Sequence, residues 1–383
     1  MNKHNTFREI LKLLDKGSIK KFISKHESDK HNKGFTTWKH LVTMIFSKLS
    51  DCRSLRDLEI RFNTNKKIQL SLKSGMLRRS TLSDANRNRS SDVFRDIANE
   101  LIMNERKELK EVVSLIDSSI IRVDSRGSEW TKATETRCGK GLKLHIQCGG
   151  NNRAIERVSI TPTNVNDITE AKQFDLESEK IYVFDKGYLD FNWWHKIDEV
   201  GSYFVTRIKK NTSYRVVKEL DIQGSSEAIV NDKVIELVNK TPRGGKKNLL
   251  ACKELRLVEV YDKERKKTYL FISNLLHASS DEISMHYKQR WGIELLFKWL
   301  KQNLKLTKFL GENENAIKIQ IYIAIIVYLL ISRLKEMYKG IFTRNIDLLS
   351  WVKVAIFSNS ALLRPPMKKQ NINNKNQFCL AVD

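Results

Sequence analysis

The stretch from His286 to Lys301 reads HYKQRWGIELLFKWLK, and it decides how the rest of the chain is interpreted. Its apolar and polar residues recur at the 3.6-residue period of an amphipathic helix. Five polar side chains follow at spacings of three or four residues, so we expect them to share one helix face: Tyr287, Arg290, Glu294, Lys298 and Lys301. Such a face suits contact with several phosphates of a nucleic-acid strand. The alternative is a solvated helix whose charges form i,i+4 ion pairs.

The charge of the chain predicts a polyanionic partner. Among 383 residues, 69 Lys and Arg outnumber 45 Asp and Glu, which gives a formal net charge of +24. Residues 1–110 alone hold 25 basic and 13 acidic residues, half of the whole excess. The simplest partner of this kind is nucleic acid. A composition rich in Lys, Asn and Ile can also raise the pI without any binding role.

Cysteine usage and hydropathy predict a cytoplasmic protein without a membrane anchor. The five cysteines are scattered and form no C-x-x-C pair, which argues against a disulfide framework and a structural zinc site. The N-terminus has no apolar signal core. The longest apolar run extends from Ile321 to Ile331 and is too short to span a bilayer. We interpret it as part of a buried helix.

Residues 1–110 have helical periodicity and are expected to form a small all-α domain that contacts DNA. Thr36 or Thr37 and Ser54 are expected to cap two of its helices. Ser80 with Ser83, or Thr81 with Asp84, is expected to cap a short basic helix. From this helix Arg78, Arg79 and Arg87 are predicted to contact phosphates or a groove. A basic surface helix with no role in DNA binding remains the alternative.

Near residue 111 the spacing of the apolar residues changes from a helical period to that of strands. This change predicts an α/β (α+β) core. Strands are expected at 112–123, 142–148, 154–161, 181–184 and 203–207, the first three as an antiparallel meander. The core would comprise 111–210 and, with the Glu294 helix, 276–340. Between them, 211–275 is interpreted as a β-rich insertion that does not continue the core. Residues 341–383 are expected to form a helical or disordered tail.

Three carboxylates are candidates for catalysis and for metal binding: Asp117, Asp185 and Glu294. Asp117 interrupts a β-branched run, where Asp is unfavourable without a functional reason. Asp185 ends a short buried strand, where open α/β sheets place ligands, although a turn aspartate is common there too. Asp124 is a rival to Asp117. Three converging carboxylates repel one another unless cations neutralise them, and their hard oxygens suit two Mg²⁺ or Mn²⁺ ions that promote phosphodiester displacement.

The basic residues near Glu294 are expected to hold the DNA strand. Arg290, Lys298 and Lys301 would bind its phosphates, and Tyr287 could hydrogen-bond a phosphate oxygen. Trp291, or an indole of Trp193 and Trp194, could stack on an unpaired base, with core packing as the alternative for each.

These residues resemble the DDE transposases of the insertion-sequence-four family. Tyr287, Arg290, Glu294 and Lys301 match the family's Y-(2)-R-(3)-E-(6)-K signature, and Asp117 in LIDSS and Asp185 in VFDKGY resemble its two aspartates. The resemblance implies an RNase H-like core with a β-rich insertion, Mg²⁺ dependence and cut-and-paste transposition. It also implies a homodimer that binds terminal inverted repeats and target DNA in the bacterial nucleoid. Relatives often have His-Asp after the third strand, where this chain has Asn166 and Asp167.

Two further functions remain open on the sequence alone. A related nuclease would cleave DNA without joining ends, and a strand-transfer assay with precleaved terminal DNA would separate it from a transposase. A non-catalytic DNA-binding protein would not depend on the three carboxylates for its activity.

Overall fold

The computed structural model describes residues 6–357, apart from residues 33, 67, 70–74, 124–129, 132–138, 242–246 and 339. Two expectations fall outside the described residues: Asp124 as the rival of Asp117, and the part of the expected tail beyond residue 357. In the described part, helices cover both faces of one nine-stranded sheet.

The N-terminal segment is helical, with α1 Thr6–Lys12, α2 Lys16–Lys25, α3 Thr37–Leu49, α4 Leu55–Thr64, α5 Arg79–Asn88 and α6 Asp92–Glu108. The expected caps of α3 and α4 are confirmed. The Thr36 hydroxyl accepts a hydrogen bond from the Lys39 N–H, and the Ser54 hydroxyl accepts one from the Asp57 N–H. Each cap satisfies a backbone donor that has no partner within its helix.

The predicted caps of the basic helix α5 are wrong. The helix begins at Arg79, so Ser80, Thr81 and Ser83 lie inside it, and the side chain of the N-cap residue Arg78 makes no capping hydrogen bond. The Arg79 N–H donates instead to the Glu59 carboxylate of α4 at 3.0 Å. A carboxylate supplied by a neighbouring helix thus satisfies a donor at the start of α5, a long-range contact that spacing within α5 cannot reveal.

The next segment builds the core of the sheet from β1 Val113–Arg122, β2 Gly141–Gly149, β3 Ile155–Pro162, α7 Asp167–Ala171, β4 Ile181–Val183, α8 Phe191–Glu199 and β5 Tyr203–Arg207. β1, β2 and β3 form the predicted antiparallel meander. β4 pairs parallel with β1, and β5 pairs parallel with β4. The order β3-β2-β1-β4-β5 fits the RNase H-like core that the family resemblance implies.

The insertion contains the expected strands, at β6 Tyr214–Glu219, β7 Ile229–Leu237, β8 Glu254–Asp262 and β9 Lys267–Ser273. The expectation that it does not continue the core is wrong. β9 pairs antiparallel with β5, so that β9, β8, β7 and β6 extend the same sheet. The choice of β5 as the partner of β9 is a long-range pairing that local periodicity does not encode.

The helix expected across 286–301 is divided into α9 Ser280–Gln289 and α10 Trp291–Asn303. Arg290 lies at the junction, where the hydrogen bonds tighten to i→i+3: the Arg290 N–H donates to the Tyr287 carbonyl, and the Ile293 N–H donates to the Arg290 carbonyl. Tyr287 and Glu294 therefore belong to two successive helices rather than to one continuous face.

Two long helices, α11 Glu314–Met337 and α12 Asn345–Phe357, complete the described chain. By length and composition α11 could cross a membrane, but 89% of its apolar window is buried inside the protein. Its side chains share one hydrophobic core with α1 to α6 and with one face of the sheet. The predicted boundary near residue 110 thus lies within a continuous core.

The opposite face of the sheet is covered by aromatic residues around α8. Trp193 and Trp194 are 2% and 0% exposed and pack with Phe184, Tyr188 and Phe204. Neither indole is available to stack on a DNA base, so core packing accounts for both.

A buried lysine gives the fold a pH-dependent stability. The Lys48 Nζ of α3 donates to the Leu304 carbonyl just beyond α10 at 2.9 Å. Burial, and then the charge of Lys305, lowers the pKa of Lys48 from 10.5 to about 7. Between these values the unfolded chain holds a proton that the folded chain has released. The free energy of unfolding therefore gains up to about 1.4 kcal/mol per pH unit from Lys48 as the pH rises from 7.

We expect Lys48→Met to remove this contribution. In urea unfolding at pH 7, 8 and 9, wild type should gain stability relative to the variant as the pH rises. Lys20→Met, which alters an exposed lysine of α2, is the control and should run parallel to wild type. Parallel curves for wild type and Lys48→Met would show that Lys48 stays charged in the folded protein.

Candidate active site

The pairing of β1 with β4 places Asp117 beside Asp185. The paired residues run from Val113 with Ile181 to Leu115 with Val183, and the numerical offset between partners is constant. The same offset separates Asp117 from Asp185. Adjacent strands lie about 4.8 Å apart, so continuing the register brings the two aspartates to neighbouring positions on the same face of the sheet.

Asp185 is held at the carboxyl end of β4 by the turn that follows it. Its backbone is extended, and its Oδ1 accepts a hydrogen bond from the Gly187 N–H at 2.6 Å. A Cβ on Gly187 would lie 2.8 Å from that same oxygen, so the residue type at 187 is tied to this contact. The turn therefore fixes Oδ1 of Asp185, and among the described residues Oδ2 has no hydrogen-bond partner.

Glu294 lies on α10, which packs on β1, the strand that carries Asp117. Arg290 connects the groups: its Nη2 lies 2.5 Å from Glu294 Oε1, and its Nη1 lies 3.6 Å from Asp117 Oδ2. The side chains of Asp117, Glu294 and Arg290 are 20%, 34% and 16% exposed. The guanidinium thus stands between two of the candidate carboxylates.

Asp117 lies near enough to Asp185 and Glu294 for their charges to affect its pKa. Burial raises the pKa of Asp117 to about 7, against the lowering effects of the Ser118 N–H and of Arg290. The negative charges of Asp185 and Glu294 both raise it further. In the described chain no three His, Cys, Asp or Glu side chains are arranged to hold a metal ion. The strand register thus brings Asp117 and Asp185 together, while Glu294 forms an ion pair with Arg290.

Tyr287 supports Arg290 from inside the protein rather than projecting into solvent. Its ring stacks on Phe271 with centroids 4.4 Å apart, and the guanidinium groups of Arg207 and Arg290 lie 5.6 and 5.7 Å from the ring centroid. Its hydroxyl is buried, and within the described part of the chain it makes no hydrogen bond of good geometry. Burial raises the pKa of Tyr287. Arg207, at the end of β5, belongs to this cluster and was missed from the sequence.

The two lysines of α10 line different cavities. Lys301 donates to the Ser119 hydroxyl of β1 at 2.7 Å and lines a cavity of about 710 Å³ with Arg122 and Asn166. Lys298 is exposed and lines a separate cavity of about 750 Å³. Only Lys301 therefore adjoins the strand that carries Asp117.

The arginines of the basic helix are free for an external partner. Arg78, Arg79 and Arg87 are exposed, and none forms an ion pair with another described residue. The carbonyls of Asn86 and Arg89, at the end of α5, accept hydrogen bonds from Asn315 of α11. The helix is thus fixed on the protein while its arginines face solvent.

Three further residues near the site are Trp291, Asn166 and Asp167. Trp291 is 54% exposed at the start of α10. Asn166 precedes α7 and makes no capping hydrogen bond with its side chain. Asp167 contacts Ser118, directly after Asp117. The start of a helix after β3 was a usable signal for Asp167, but its partner on β1 was not evident.

Comparison with known proteins identifies the family. Residues 108–330 match the family model of the transposase DDE domain, and residues 2–72 match a domain of unknown function (DUF4372). A putative transposase of Sinorhizobium fredii is 33% identical over 65% of this chain and 69% of its own length. The putative transposase for insertion sequence element IS4SA of Synechocystis is 28% identical, over 70% and 74%.

Two more distant matches have related names. The probable transposase for insertion sequence element IS5377 of Geobacillus stearothermophilus is 25% identical over 62% of this chain and 61% of its own length. The cryo-EM structure of a piggyBac transposase synaptic complex with hairpin DNA has a TM-score of 0.47 at 12% identity, covering 98% of this chain and 84% of that one. That likeness is too remote to support a conclusion about the site. Because the DDE model covers more than half of the chain and the relatives are named as transposases, this chain belongs to the DDE transposases and is a DNA transposase, and the names agree with the insertion-sequence-four resemblance.

Proposed function

We propose that this transposase binds the terminal inverted repeats of a bacterial insertion sequence and cleaves and joins DNA at Asp117, Asp185 and Glu294. The parallel register of β1 and β4, which sets Asp117 beside Asp185 on one face of the sheet, carries this proposal. Glu294 adds a third carboxylate from a helix that packs on the same face. We further infer that the protein acts in the bacterial nucleoid as a homodimer holding two element ends.

DDE transposases generally use divalent metal ions, and the donors at this site suit them. Asp117 and Asp185 offer carboxylate oxygens, the ligands preferred by Mg²⁺ and Mn²⁺. Burial raises the pKa of Asp117 to about 7, and the negative charges of Asp185 and Glu294 raise it further, an effect that a bound cation would oppose. We assign two ions to the three carboxylates. Such ions would activate a water or a 3′-hydroxyl and would stabilise the leaving oxygen.

The residues around the carboxylates have separate tasks. Arg290 neutralises Glu294 and Asp117 before an ion is bound, and its remaining donors face a phosphate of the DNA strand. Tyr287 keeps Arg290 in place through its ring. Lys301 binds a phosphate beside β1, and Lys298 binds one further along the strand. Trp291 is exposed enough to stack on an unpaired base.

Removing a candidate carboxylate should abolish cleavage without loss of DNA binding. We expect Asp185→Asn and Glu294→Gln each to slow cleavage of a terminal-repeat duplex about a thousandfold or more. The physical reason is the loss of charge stabilisation in the transition state, where about 1.4 kcal/mol corresponds to a factor of ten in rate. Rates would be measured in gel assays with Mg²⁺ and with Mn²⁺, beside binding by fluorescence anisotropy.

Glu227→Gln is the matched control, because Glu227 lies in the insertion with its side chain 86% exposed. It should cleave like wild type. Wild-type rates in Glu294→Gln would remove Glu294 from the site. Joining of precleaved ends to target DNA by wild type would separate a transposase from a nuclease that only cleaves.

The arginines of α5 should contribute electrostatically to DNA binding. Each phosphate contact adds about 0.9 to the negative slope of log K against log salt. We expect Arg78→Gln/Arg79→Gln to lower the magnitude of that slope by about 2 and to weaken binding similarly for terminal and unrelated duplexes.

Lys253→Gln is the control for loss of positive charge, because Asp198 already neutralises Lys253 at 2.7 Å. Its slope should equal that of wild type. An unchanged slope in the double arginine variant would show that α5 lies away from the DNA.

A further inference from the structure

We propose that Asp167 is a positioning residue for Asp117, acting through Ser118; this inference rests on the proposed role of Asp117 as a metal-binding carboxylate. Asp167 is the first residue of α7, and Ser118 directly follows Asp117 on β1. The two side chains meet across 49 positions of sequence.

The part of β1 that carries Asp117 needs such support because it is paired on one side only. The pairing of β1 with β4 ends at Leu115, whereas its pairing with β2 continues to Arg122. Beyond Leu115, the β4 side of the strand therefore lacks a ladder in the described chain. Contacts made by its side chains must then fix the peptide groups that a second neighbouring strand would otherwise hold.

Ser118 links the two aspartates through adjoining atoms. Its backbone N–H donates to Asp117 Oδ1 at 2.8 Å, and its hydroxyl donates to Asp167 Oδ1 at 2.8 Å. Successive side chains of a strand point to opposite faces. Anchoring the Ser118 side chain on one face thus fixes the peptide group that orients Asp117 on the other.

Asp167 is itself held in a defined position. The Lys143 Nζ lies 2.9 Å from Asp167 Oδ1 and also donates to the Val165 carbonyl at 2.7 Å. His145, which pairs with Ser118 across the ladder, is the other basic group nearby, at 3.9 Å from Asp167. Burial lowers the pKa of His145 to about 4, so Lys143 supplies the balancing charge near pH 7.

This geometry gives Asp167 an indirect role. Asp117 faces Arg290 on one side of the sheet, and Ser118 carries the contact with Asp167 on the other side. Asp167 therefore acts on the orientation of Asp117. Partners that orient a metal ligand typically change metal affinity about 10- to 100-fold when they are removed.

The test measures Mn²⁺ binding to the DNA-free protein by electron paramagnetic resonance of the free ion. We expect Asp167→Ala and Ser118→Ala each to weaken binding about 10- to 100-fold. Asp167→Asn keeps an oxygen that accepts from Ser118 and should lose less. Ser118→Thr keeps the hydroxyl and should bind like wild type. The double alanine variant should be no weaker than the weaker single variant, because both changes break one chain of contacts.

Asp175→Asn is the control, because its side chain is 84% exposed and pairs only with Arg157 among the described residues. Thermal unfolding of every variant identifies a purely structural role, which would lower Tm and leave Mn²⁺ affinity unchanged. A lower Tm with unchanged Mn²⁺ affinity would overturn the inference. So would wild-type Mn²⁺ affinity in Ser118→Ala, or additive losses of affinity in the double variant. Asp117→Ala separates the two proposals: if it still binds Mn²⁺ normally, the proposed metal site itself fails.

Discussion

The parallel register between β1 and β4 is the constraint on which the candidate site depends. β4 is very short, yet Tyr182 and Phe184 pack into the aromatic core on one face while Val183 joins the core on the other. A slip by one residue would exchange those faces and turn Asp185 away from Asp117. The large aromatic side chains of Tyr182 and Phe184 fit one core, and the smaller Val183 fits the other. This difference in side-chain size thus secures the alignment of the aspartates.

That alignment has an electrostatic cost, and the junction of α9 and α10 offsets it. Carboxylates held together away from water destabilise their charged forms. The tightened turn at Arg290 places a guanidinium between Asp117 and Glu294, and Tyr287 on the preceding helix packs against it. The break in the helix is therefore part of how the acidic site is tolerated before a cation enters.

Much of the fold could be predicted because its signals are local. The β-branched run around Asp117 and the apolar run before Asp185 gave strands close to the observed bounds, and the caps at Thr36 and Ser54 were readable. The helix break at Arg290 is a local change to i→i+3 hydrogen bonds that the apolar pattern does not mark, whereas the pairing of β9 with β5 and the Asp167–Ser118 contact depend on groups far apart in sequence. Periodicity carries no record of such partners, so the candidate carboxylates were predictable while their supports were not.

The long-range contacts also change how the helical segment is understood. Lys48 of α3 binds the Leu304 carbonyl at the end of α10, and Asn315 at the start of α11 binds the carbonyls that end α5. Leu304 directly follows α10, and Asn315 lies in the first turn of α11. The helix that carries Glu294 and the helix that presents Arg78 and Arg79 are thereby joined through one segment and a shared core. The same core that supports Glu294 therefore also supports the helix from which Arg78 and Arg79 are proposed to contact DNA.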